Sequence, residues 1–360
     1  MFDKACVLIP AYCPTDKMID YIDELCTKGI KSILIVNDGS NDEYNHVFET
    51  LNKNHVCHVI GYSQNKGKGY ALKYGYNYIL NKRNNNQYIV TADCDGQHTI
   101  DDVVNVIDAL EKNPNDLILG VRDFSDNSVP FKSLFGNRFS SVIFYLLFHK
   151  YISDTQTGLR GFSSKYLPFM RNIKGDRYEY ETNVLISCVE DNVAIKEIPI
   201  STVYEDNNSG THFRPFVDSL KIMGTMFRGF MMFMGSSLIC SFVDILFAFI
   251  LLDFFKHIIS SDLLRISTAT IFARLISMFL NYSLNKRIVF NKGNKNNTLY
   301  KYILLCLLIM ALSSIFVYLV SNLLYLDEKL AKVIGDSLLF LLSYKLQKEW
   351  VFKNEQDQKC

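Results

Sequence analysis

Long runs of apolar residues dominate the last third of the chain and constrain its fold more than any other feature. Each run is long enough to cross a hydrocarbon core of about 30 Å, the last one only just. Backbone polar groups inside a bilayer must be satisfied within the protein, so runs of this length cross it as helices. The runs lie at about 231–252, 264–284, 302–324 and 330–346. The sequence therefore predicts an all-α membrane domain of four helices.

Basic residues between the runs predict the orientation of this domain. The loop between the second and third runs is basic and so is the tail, whereas the other two loops hold few basic residues. Because basic loops stay on the cytoplasmic side, we expect the central loop, both termini and the N-terminal part to be cytoplasmic. The residues concerned are Lys286, Arg287, Lys292, Lys295 and Lys301 in the loop, and Lys345, Lys348 and Lys353 in the tail. This predicts a multi-pass protein of the cell membrane with four spans.

Three ionisable residues, Asp244, Arg274 and Asp336, fall inside the apolar runs. Charged side chains are costly at that depth and are usually functional. We expect Arg274 to pair with Asp244 or with Asp336. Such a pair could serve transport or be purely structural, and the sequence leaves both possibilities open.

The N-terminal part instead alternates short apolar strands with amphipathic helices. Strands are predicted at 6–9, 32–36, 56–61, 88–90, 116–121 and 195–203. Helices are predicted at 15–28, from about 42, at 68–81, at 100–112, at 134–151 and from about 178. This alternation is typical of βαβ units, so the sequence predicts an α/β domain with a mainly parallel sheet.

Polar residues follow three of the predicted strands. Pro10 and Tyr12 follow the first strand, Asp38 ends the second, and Asp93 and Asp95 follow the fourth. In parallel sheets, ligands bind beyond the carboxyl ends of the strands. We therefore expect these residues to converge on one crevice.

The segment Thr-Ala-Asp-Cys-Asp-Gly-Gln-His at 91–98 carries the strongest chemical signal in this crevice. Asp93 and Asp95 are two residues apart, and Gln97 follows closely. Hard oxygen ligands of this kind suit Mg²⁺ or Mn²⁺ better than zinc, and such ions keep coordination positions for substrate phosphates. A solvated Asp-Gly turn is the alternative interpretation.

Composition argues against several other functions. The net charge of +1 gives no support to a nucleic-acid partner. The nine cysteines are scattered and form no Cys-x-x-Cys pair, which argues against a disulfide framework or a zinc site. The chain also lacks the glycine-rich loop with Gly-Lys-Ser/Thr of a P-loop nucleotidase.

Four ordered motifs resemble those of family-2 glycosyltransferases, which have the Rossmann-like GT-A fold. The motifs are Val-Leu-Ile-Pro-Ala-Tyr at 7–12, Val-Asn-Asp-Gly-Ser at 36–40, Asn-Lys-Gly-Lys-Gly at 65–69 and Asp-Cys-Asp-Gly-Gln-His at 93–98. Within that family the chain is most similar to the polyprenyl- or dolichol-phosphate sugar synthases, over residues 4–220. The resemblance implies a GT-A catalytic domain and a metal-dependent hexosyltransferase that uses Mg²⁺ or Mn²⁺.

The resemblance also implies roles at the donor side of the site. Pro10, Tyr12 and Asp38 would hold the nucleoside of a UDP- or GDP-hexose. Asp93, Asp95 and Gln97 would hold the metal that bridges its diphosphate. The lysines of the 65–69 motif, Lys68 in particular, would line the diphosphate or lie in a plain surface turn.

Further residues match family positions nearer the acceptor. Arg122 would contact phosphate or form a salt bridge. Asp154 and Gln156 would face the donor sugar or the acceptor. Arg138 would meet the phosphate of a lipid acceptor at the membrane-facing side, where a plain core helix is the alternative, and Arg160 would bind acceptor phosphate or form a structural pair.

Two segments complete the implied site. Glu181, near the start of a helix, matches a position that often carries a carboxylate, and a sugar-binding and a structural role have equal weight. His212 and Arg214 match a loop that closes over the diphosphate, for which an ordinary polar linker is the alternative. A general base is not required, because a phosphate acceptor is already an anionic nucleophile.

The membrane domain resembles the GtrA-like four-span family. The similarity rests on Ala-Arg at 273–274, Asn-Tyr-Ser-Leu-Asn-Lys-Arg-Ile-Val-Phe at 281–290 and Lys-Glu-Trp-Val-Phe at 348–352. Where the family has Asn-Arg before its final Trp, this chain has Lys348 and Glu349.

Taken together, these features predict four parts. Residues 1–212 form the catalytic domain, 213–230 an interfacial amphipathic helix, 231–350 the GtrA-like domain and 351–360 a polar tail. We expect an inverting transfer of a hexose to polyprenyl phosphate at the cytoplasmic face of the bilayer. Direct transfer to a cell-envelope polymer or glycolipid, and a lipid-linked-sugar flippase with a coupled transferase, are the alternatives. Self-association is left open.

Overall fold

The computed structural model describes residues 2–82, 86–122, 131–201, 215–290 and 298–352. It divides into two compact units, Met1–Met226 and Phe227–Cys360, which are described separately. The first unit is an α/β fold around one sheet, and the second is helical. This confirms the predicted fold class.

The sheet has seven strands in the order β3-β2-β1-β4-β6-β5-β7. The strands are β1 (Ala5–Ala11), β2 (Ile33–Asp38), β3 (Cys57–Tyr62), β4 (Tyr88–Thr91), β5 (Leu117–Arg122), β6 (Arg160–Ser163) and β7 (Ile195–Ile200). All neighbouring strands pair in parallel except where β6 lies antiparallel between β4 and β5. The sequence did not predict β6, because its four residues contain no apolar run.

Helices cover both faces of the sheet. They are α1 (Lys17–Thr27), α2 (Asn45–Asn52), α3 (Lys68–Asn81), α4 (Ile100–Lys112), α5 (Phe131–Phe148), α6 (Leu167–Asn172) and α7 (Glu179–Glu190). Strand β1 is buried throughout, and its alternate side chains enter two different cores: Val7 and Ile9 lie on one face, and Leu8 lies on the other. Burial on both faces explains why the strand reads as a continuous apolar run.

The second unit consists of long helices. They are α8 (Pro215–Lys256, which begins in the first unit), α9 (Asp262–Leu284), α10 (Thr298–Leu324) and α11 (Glu328–Leu346). Short π-helical turns, Asn285–Val289 and Gln347–Val351, follow α9 and α11. Among the described residues, three stretches are long and apolar enough to cross a membrane: Asp218–Lys256, Asp262–Val289 and Thr298–Leu323.

Helix α8 differs from the sequence-based expectation. The predicted interfacial helix at 213–230 and the first predicted span from 231 form one continuous helix from Pro215 to Lys256. No Pro or Gly pair interrupts residues 216–256, so nothing in the sequence ends the helix near residue 230. The domain limits at 212, 230 and 350 stay predictions.

Candidate active site

The acidic motif lies where β4 ends, at the carboxyl edge of the sheet. The Thr91 hydroxyl donates to the Gly158 carbonyl at 2.8 Å, which ties the end of β4 to the loop before β6. Asp93 follows, with its side chain about a quarter exposed. A Cβ placed on Gly158 would lie 2.4 and 2.6 Å from the two Asp93 carboxylate oxygens. Only glycine at position 158 therefore leaves room for this carboxylate.

Lys68 forms the centre of a charged cluster at this edge. Its Nζ lies 2.6 Å from Oδ1 of Asp93 and 2.7 Å from Oε1 of Glu181, and its side chain is 15% exposed. Burial alone would lower the pKa of Lys68, but the two carboxylates outweigh burial and raise that pKa. Burial likewise opposes ionisation of Asp93, yet the Lys68 ammonium and His98 hold its pKa well below the usual range.

Asp95 is the more accessible of the two motif carboxylates. Its Oδ1 accepts a hydrogen bond from the Gln97 backbone N–H at 3.1 Å, so the 95–97 turn is fixed by the side chain itself. Desolvation at the crowded edge and repulsion from the Asp93 charge raise the pKa of Asp95. Two adjacent carboxylates that repel each other favour a cation between them.

The donor set fits a hard divalent cation that shares its coordination sphere with substrate. Within the described residues, no group of three or more His, Cys, Asp or Glu side chains is arranged to hold a metal. Asp93 and Asp95 would supply two ligands to such an ion, and Gln97 is adjacent in the same turn. Mg²⁺ and Mn²⁺ sites built on one or two carboxylates take their remaining ligands from phosphates and water.

Asp38 ends β2 and is almost fully buried. Its carboxylate accepts hydrogen bonds from the Tyr62 hydroxyl at 2.7 Å, from the Lys66 N–H at 2.8 Å and from the Gly67 N–H at 2.9 Å. The Asn65 side-chain amide donates to it at 3.1 Å. Asp38 was predicted to hold the nucleoside, and the structure shows it holding the loop that precedes Lys68.

Pro10 and Tyr12 lie where the sequence placed them, at the carboxyl end of β1. Pro10 is buried within the strand, opposite Val36 of β2. Tyr12 is half-buried one residue beyond the strand. The structure thus brings both residues to the same sheet edge as Asp38 and Asp93.

Arg122 and Asp154 form a bidentate ion pair. The guanidinium Nε and Nη2 lie 2.7 and 3.0 Å from the two Asp154 oxygens, and Asp154 is fully buried. The Gln156 N–H also donates to Asp154, at 3.2 Å. Asp154 was predicted to face the sugar or the acceptor, but its oxygens are directed at protein donors. It therefore orients Arg122 and the Gln156 backbone.

The position of Arg160 favours the structural alternative over the binding of an acceptor phosphate. Its guanidinium is nearly fully buried and donates to the carbonyls of Thr157 at 2.9 Å, Glu181 at 2.7 Å and Thr155 at 3.4 Å. An acceptor phosphate would have to displace these contacts and enter the core. The geometry instead gives Arg160 a structural position that ties the 154–158 loop to α7.

Helix α5 buries both polar and apolar side chains and also exposes an apolar face. Asn137 donates to the Ser153 carbonyl at 2.6 Å, Ser140 bonds Thr155 at 2.9 Å, and Phe144 is fully buried. Its outer face is apolar, because Phe139, Val142, Tyr145 and Leu146 are each about half exposed or more. Arg138 is exposed on the same helix.

His212 and Arg214, predicted to close over the diphosphate, lie outside the described residues. Sequence reasoning missed two other residues. Gly158 carries a spatial requirement that only the folded structure reveals. His98 is 5% exposed, with Nε2 3.5 Å from Oδ2 of Asp93, and its position within the acidic motif could have indicated this.

Comparisons with known proteins cover both units. The family model of glycosyl transferase family 2 matches residues 6–171, and that of the GtrA/DPMS transmembrane domain matches residues 232–352. A UDP-N-acetylglucosamine--dolichyl-phosphate N-acetylglucosaminyltransferase of Methanococcus voltae is 30% identical over 226 residues. The match covers 57% of this chain and 88% of that protein. An uncharacterised protein of Methanocaldococcus jannaschii is also 30% identical, over 57% of this chain and 83% of the relative.

A eukaryotic relative and a solved structure extend the comparison. Dolichyl-phosphate beta-glucosyltransferase of Saccharomyces cerevisiae is 29% identical over 60% of this chain and 71% of its own length. The crystal structure of glucosyl-3-phosphoglycerate synthase from Mycobacterium tuberculosis with Mn²⁺, UDP and glucosyl-3-phosphoglycerate superimposes with a TM-score of 0.47 at 14% identity. It covers 62% of this chain and 79% of that one.

Proposed function

This chain belongs to glycosyl transferase family 2 and carries a GtrA/DPMS transmembrane domain, and we propose that it moves a hexose from a nucleoside-diphosphate sugar to polyprenyl phosphate. Two of the similar proteins are named as transferases that act on dolichyl phosphate. The observation that carries the proposal is the cluster of Asp93, Asp95 and Lys68 at the carboxyl edge of the sheet. It offers metal ligands and a cation at the place where a diphosphate would lie.

The chemistry follows from where charge develops. The leaving nucleoside diphosphate gains negative charge in the transition state, and fixed positive groups stabilise it. When bound, a Mg²⁺ or Mn²⁺ ion held by Asp93, Asp95 and Gln97 would supply much of that charge. Lys68, at the start of α3, supplies a further positive charge. Tyr12, one residue beyond β1, would contact the nucleoside.

The acceptor side needs a positive group but no base. A polyprenyl phosphate is already an anionic nucleophile, so it can attack the anomeric carbon directly, and a single displacement inverts that centre. Arg122, one-quarter exposed and oriented by buried Asp154, is fixed to meet a phosphate or diphosphate oxygen. We assign Asp154 a positioning role in this proposal.

The exposed apolar face of helix α5 is evidence in favour of a lipid as the acceptor. An apolar face that is exposed to water is unfavourable in a soluble domain and suits contact with a membrane surface. Phe139, Val142 and Leu146 form such a face, and Arg138 lies beside it. A guanidinium at the edge of an apolar helix face is suited to a phosphate headgroup at the bilayer surface. We propose that Arg138 meets the acceptor phosphate there.

We also propose four spans, with both termini in the cytoplasm. Composition alone supports α8, α9 and α10 as spans. Support for α11 comes from an internal repeat. Tyr282, Asn285, Lys286, Val289 and Phe290 have counterparts at the same spacing at the end of α11 and just beyond it, and four of the five are identical. Their counterparts are Tyr344, Gln347, Lys348, Val351 and Phe352. Each set ends in a π-helical turn, so α10–α11 repeats the hairpin α8–α9.

Contacts between the two hairpins are reciprocal, as expected for a pseudo-two-fold pair. The rings of Tyr282 and Phe352 lie 6.1 Å apart, and those of Tyr344 and Phe290 lie 6.0 Å apart. The equivalent residues Asn285 and Gln347 bond each other directly at 2.9 Å. Repeats of two helices each run in the same direction through the membrane, so α11 would cross as α9 does. The basic ends of both hairpins would then be cytoplasmic.

The test uses membranes that contain the full chain. They are incubated with a panel of radiolabelled UDP- and GDP-sugars and with polyprenyl phosphate. The products are separated by chromatography and identified by their lability in acid. The proposal expects one labelled polyprenyl-phosphate sugar, formed only when a divalent cation is present. Label that enters a polymer or glycolipid without passing through polyprenyl phosphate would contradict it. So would translocation of preformed lipid-linked sugar with no transfer from any nucleotide sugar.

A further inference from the structure

Lys68 contacts two carboxylates at once, although one of them belongs to the proposed metal site. We propose that Lys68 is a built-in counter-ion of Asp93 that a divalent cation displaces, and that Glu181 holds the displaced ammonium until a nucleoside diphosphate binds. The inference rests on the proposed function, because it concerns the same donor site. It gives Glu181 a defined positioning role.

The distances show that the ammonium and a metal ion compete. Lys68 Nζ lies 2.6 Å from Asp93 Oδ1, which is the distance of a strong charged hydrogen bond. A Mg²⁺ ion binds carboxylate oxygen at about 2.0–2.1 Å and demands near-octahedral geometry. An ammonium on the same oxygen would be repelled by the ion. Metal binding is therefore an exchange in which Lys68 leaves Asp93.

Glu181 determines where the ammonium goes. The side chain of Glu181 is 7% exposed, and its Oε1 already lies 2.7 Å from Lys68 Nζ. A buried carboxylate that loses its ion-pair partner is strongly destabilising, so this contact is retained when Asp93 is released. The two carboxylates and one ammonium carry a net charge of −1, which attracts the incoming cation.

The backbone around Lys68 leaves movement to the side chain alone. Gly67, with φ +103°, precedes it, and a Cβ there would lie 2.6 Å from the Asp176 carbonyl oxygen. A Cβ on Gly69 would lie 2.5 Å from the Tyr180 Cβ. The start of α3 is thus packed against the segment that leads into α7, and Asp38 binds the Gly67 N–H. Rotation of the Lys68 side chain toward Glu181 needs no backbone shift.

This exchange predicts coupling between the metal and the nucleotide. Metal alone binds weakly because it must displace the ammonium. A diphosphate gives Lys68 a new anionic partner, so its presence makes metal binding more favourable. Cooperativity between Mn²⁺ and a nucleoside diphosphate should therefore depend on Lys68.

The experiment measures Mn²⁺ binding to the purified full chain in detergent, from the electron paramagnetic resonance signal of free Mn²⁺, without any sugar transfer. Titrations are run with Mn²⁺ alone and with UDP or GDP. Lys68→Met should bind Mn²⁺ alone about tenfold more tightly, since an opposing charge at this distance is removed. Glu181→Gln should bind it about tenfold more weakly. Lys73→Met is the matched control, because Lys73 lies on the same helix as Lys68 but pairs with Asp176, outside the cluster; its Mn²⁺ affinity should equal that of the wild type.

The outcomes separate the possibilities. The nucleotide should raise Mn²⁺ affinity in the wild type and clearly less in Lys68→Met. If Lys68→Met and Glu181→Gln both weaken binding, Lys68 is only a structural ion pair and the inference is wrong, while the proposed transferase stands. If Lys68→Met does not fold, as circular dichroism would show, an unchanged or tighter Kd in Glu181→Gln alone overturns the inference. If the wild type binds no Mn²⁺ with or without nucleotide, the proposed metal site itself fails.

Discussion

The two units of this chain treat charged side chains in opposite ways. In the catalytic unit, Lys68 lies within 2.7 Å of both Asp93 and Glu181, and all three side chains are mostly buried. In the membrane unit, Arg274 reaches Asp244 only at 3.5 Å, and three-quarters of its side chain is exposed. Short, enclosed contacts preorganise a site for chemistry, whereas long, open ones allow the partners to separate.

In the membrane unit, serine hydroxyl groups also bind the two carboxylates that pair with basic residues. Ser277 donates to Asp244 at 3.0 Å, and Ser313 donates to Asp336 at 2.7 Å. The predicted pairing of Arg274 with Asp244 is confirmed, whereas Asp336 pairs with Lys332 at 3.0 Å. The Arg274–Asp244 pair joins α9 to α8, whereas Lys332 and Asp336 pair within α11. We propose that charge in the membrane unit supports its architecture and that charge in the catalytic unit supports transfer.

The largest effect is expected from closing the space beside Asp93. Gly158→Ala places a methyl group where the Asp93 carboxylate lies, so the carboxylate must move. Displacement of a reacting group by about 1 Å can lower the rate about 100-fold. We expect at least that loss in formation of polyprenyl-phosphate sugar, with little change in expression. Gly136→Ala, whose Cβ would meet no atom within 4 Å, is the control and should retain activity.

A loss of stability is expected when the Arg122–Asp154 pair is broken. Arg122→Met leaves the fully buried Asp154 without its bidentate partner. Removing one member of a buried pair costs about 3–5 kcal/mol. Thermal unfolding of the purified chain should show a clearly lower Tm. If Arg122→Met unfolds at the wild-type temperature, Asp154 is not held by this pair, and its positioning role is wrong.

A smaller effect is expected at the junction of the two hairpins. Asn285→Ala removes the partner of both Gln347 and Ser236, whose contacts measure 2.9 and 2.6 Å. An unsatisfied buried polar group costs about 1–3 kcal/mol. Gln347→Ala removes the equivalent residue and should lower the Tm by a similar amount. Very different values for the two variants would argue against the pseudo-two-fold relation.

The smallest effect is expected at the exposed membrane pair. Arg274→Leu removes a guanidinium that makes only a 3.5 Å contact. We expect less than about 1 kcal/mol of change in stability, as for other weakly coupled pairs. Sugar transfer should be near the wild-type rate. A loss of transfer comparable to that of Gly158→Ala would show that the membrane charges take part in function, and would remove the distinction between the units.

The sequence predicted the fold class because strand, helix and span periodicities are local properties. The sequence indicated a role for Asp93, Asp95 and Lys68 because each lies in a short motif that follows a predicted strand. The role of Arg160 stayed open between two alternatives, because a motif match does not reveal that three backbone carbonyls bind its guanidinium. The sequence did not reveal strand β6 or the need for glycine at position 158, because both depend on contacts between segments distant in the chain. The continuity of α8 was missed because a change in composition near residue 230 is not a helix break.

We propose that the acidic motif supports sugar transfer to a lipid phosphate. The most direct test of this role compares membranes containing Asp95→Ala with the wild type, supplied with the accepted nucleotide sugar, polyprenyl phosphate and Mn²⁺. Asp101→Ala is the control, since Asp101 is an exposed residue of α4 that pairs with Lys28. We expect Asp95→Ala to form less than about 1% of the wild-type product, and Asp101→Ala to form as much product as the wild type. Continued formation of polyprenyl-phosphate sugar by Asp95→Ala would contradict it.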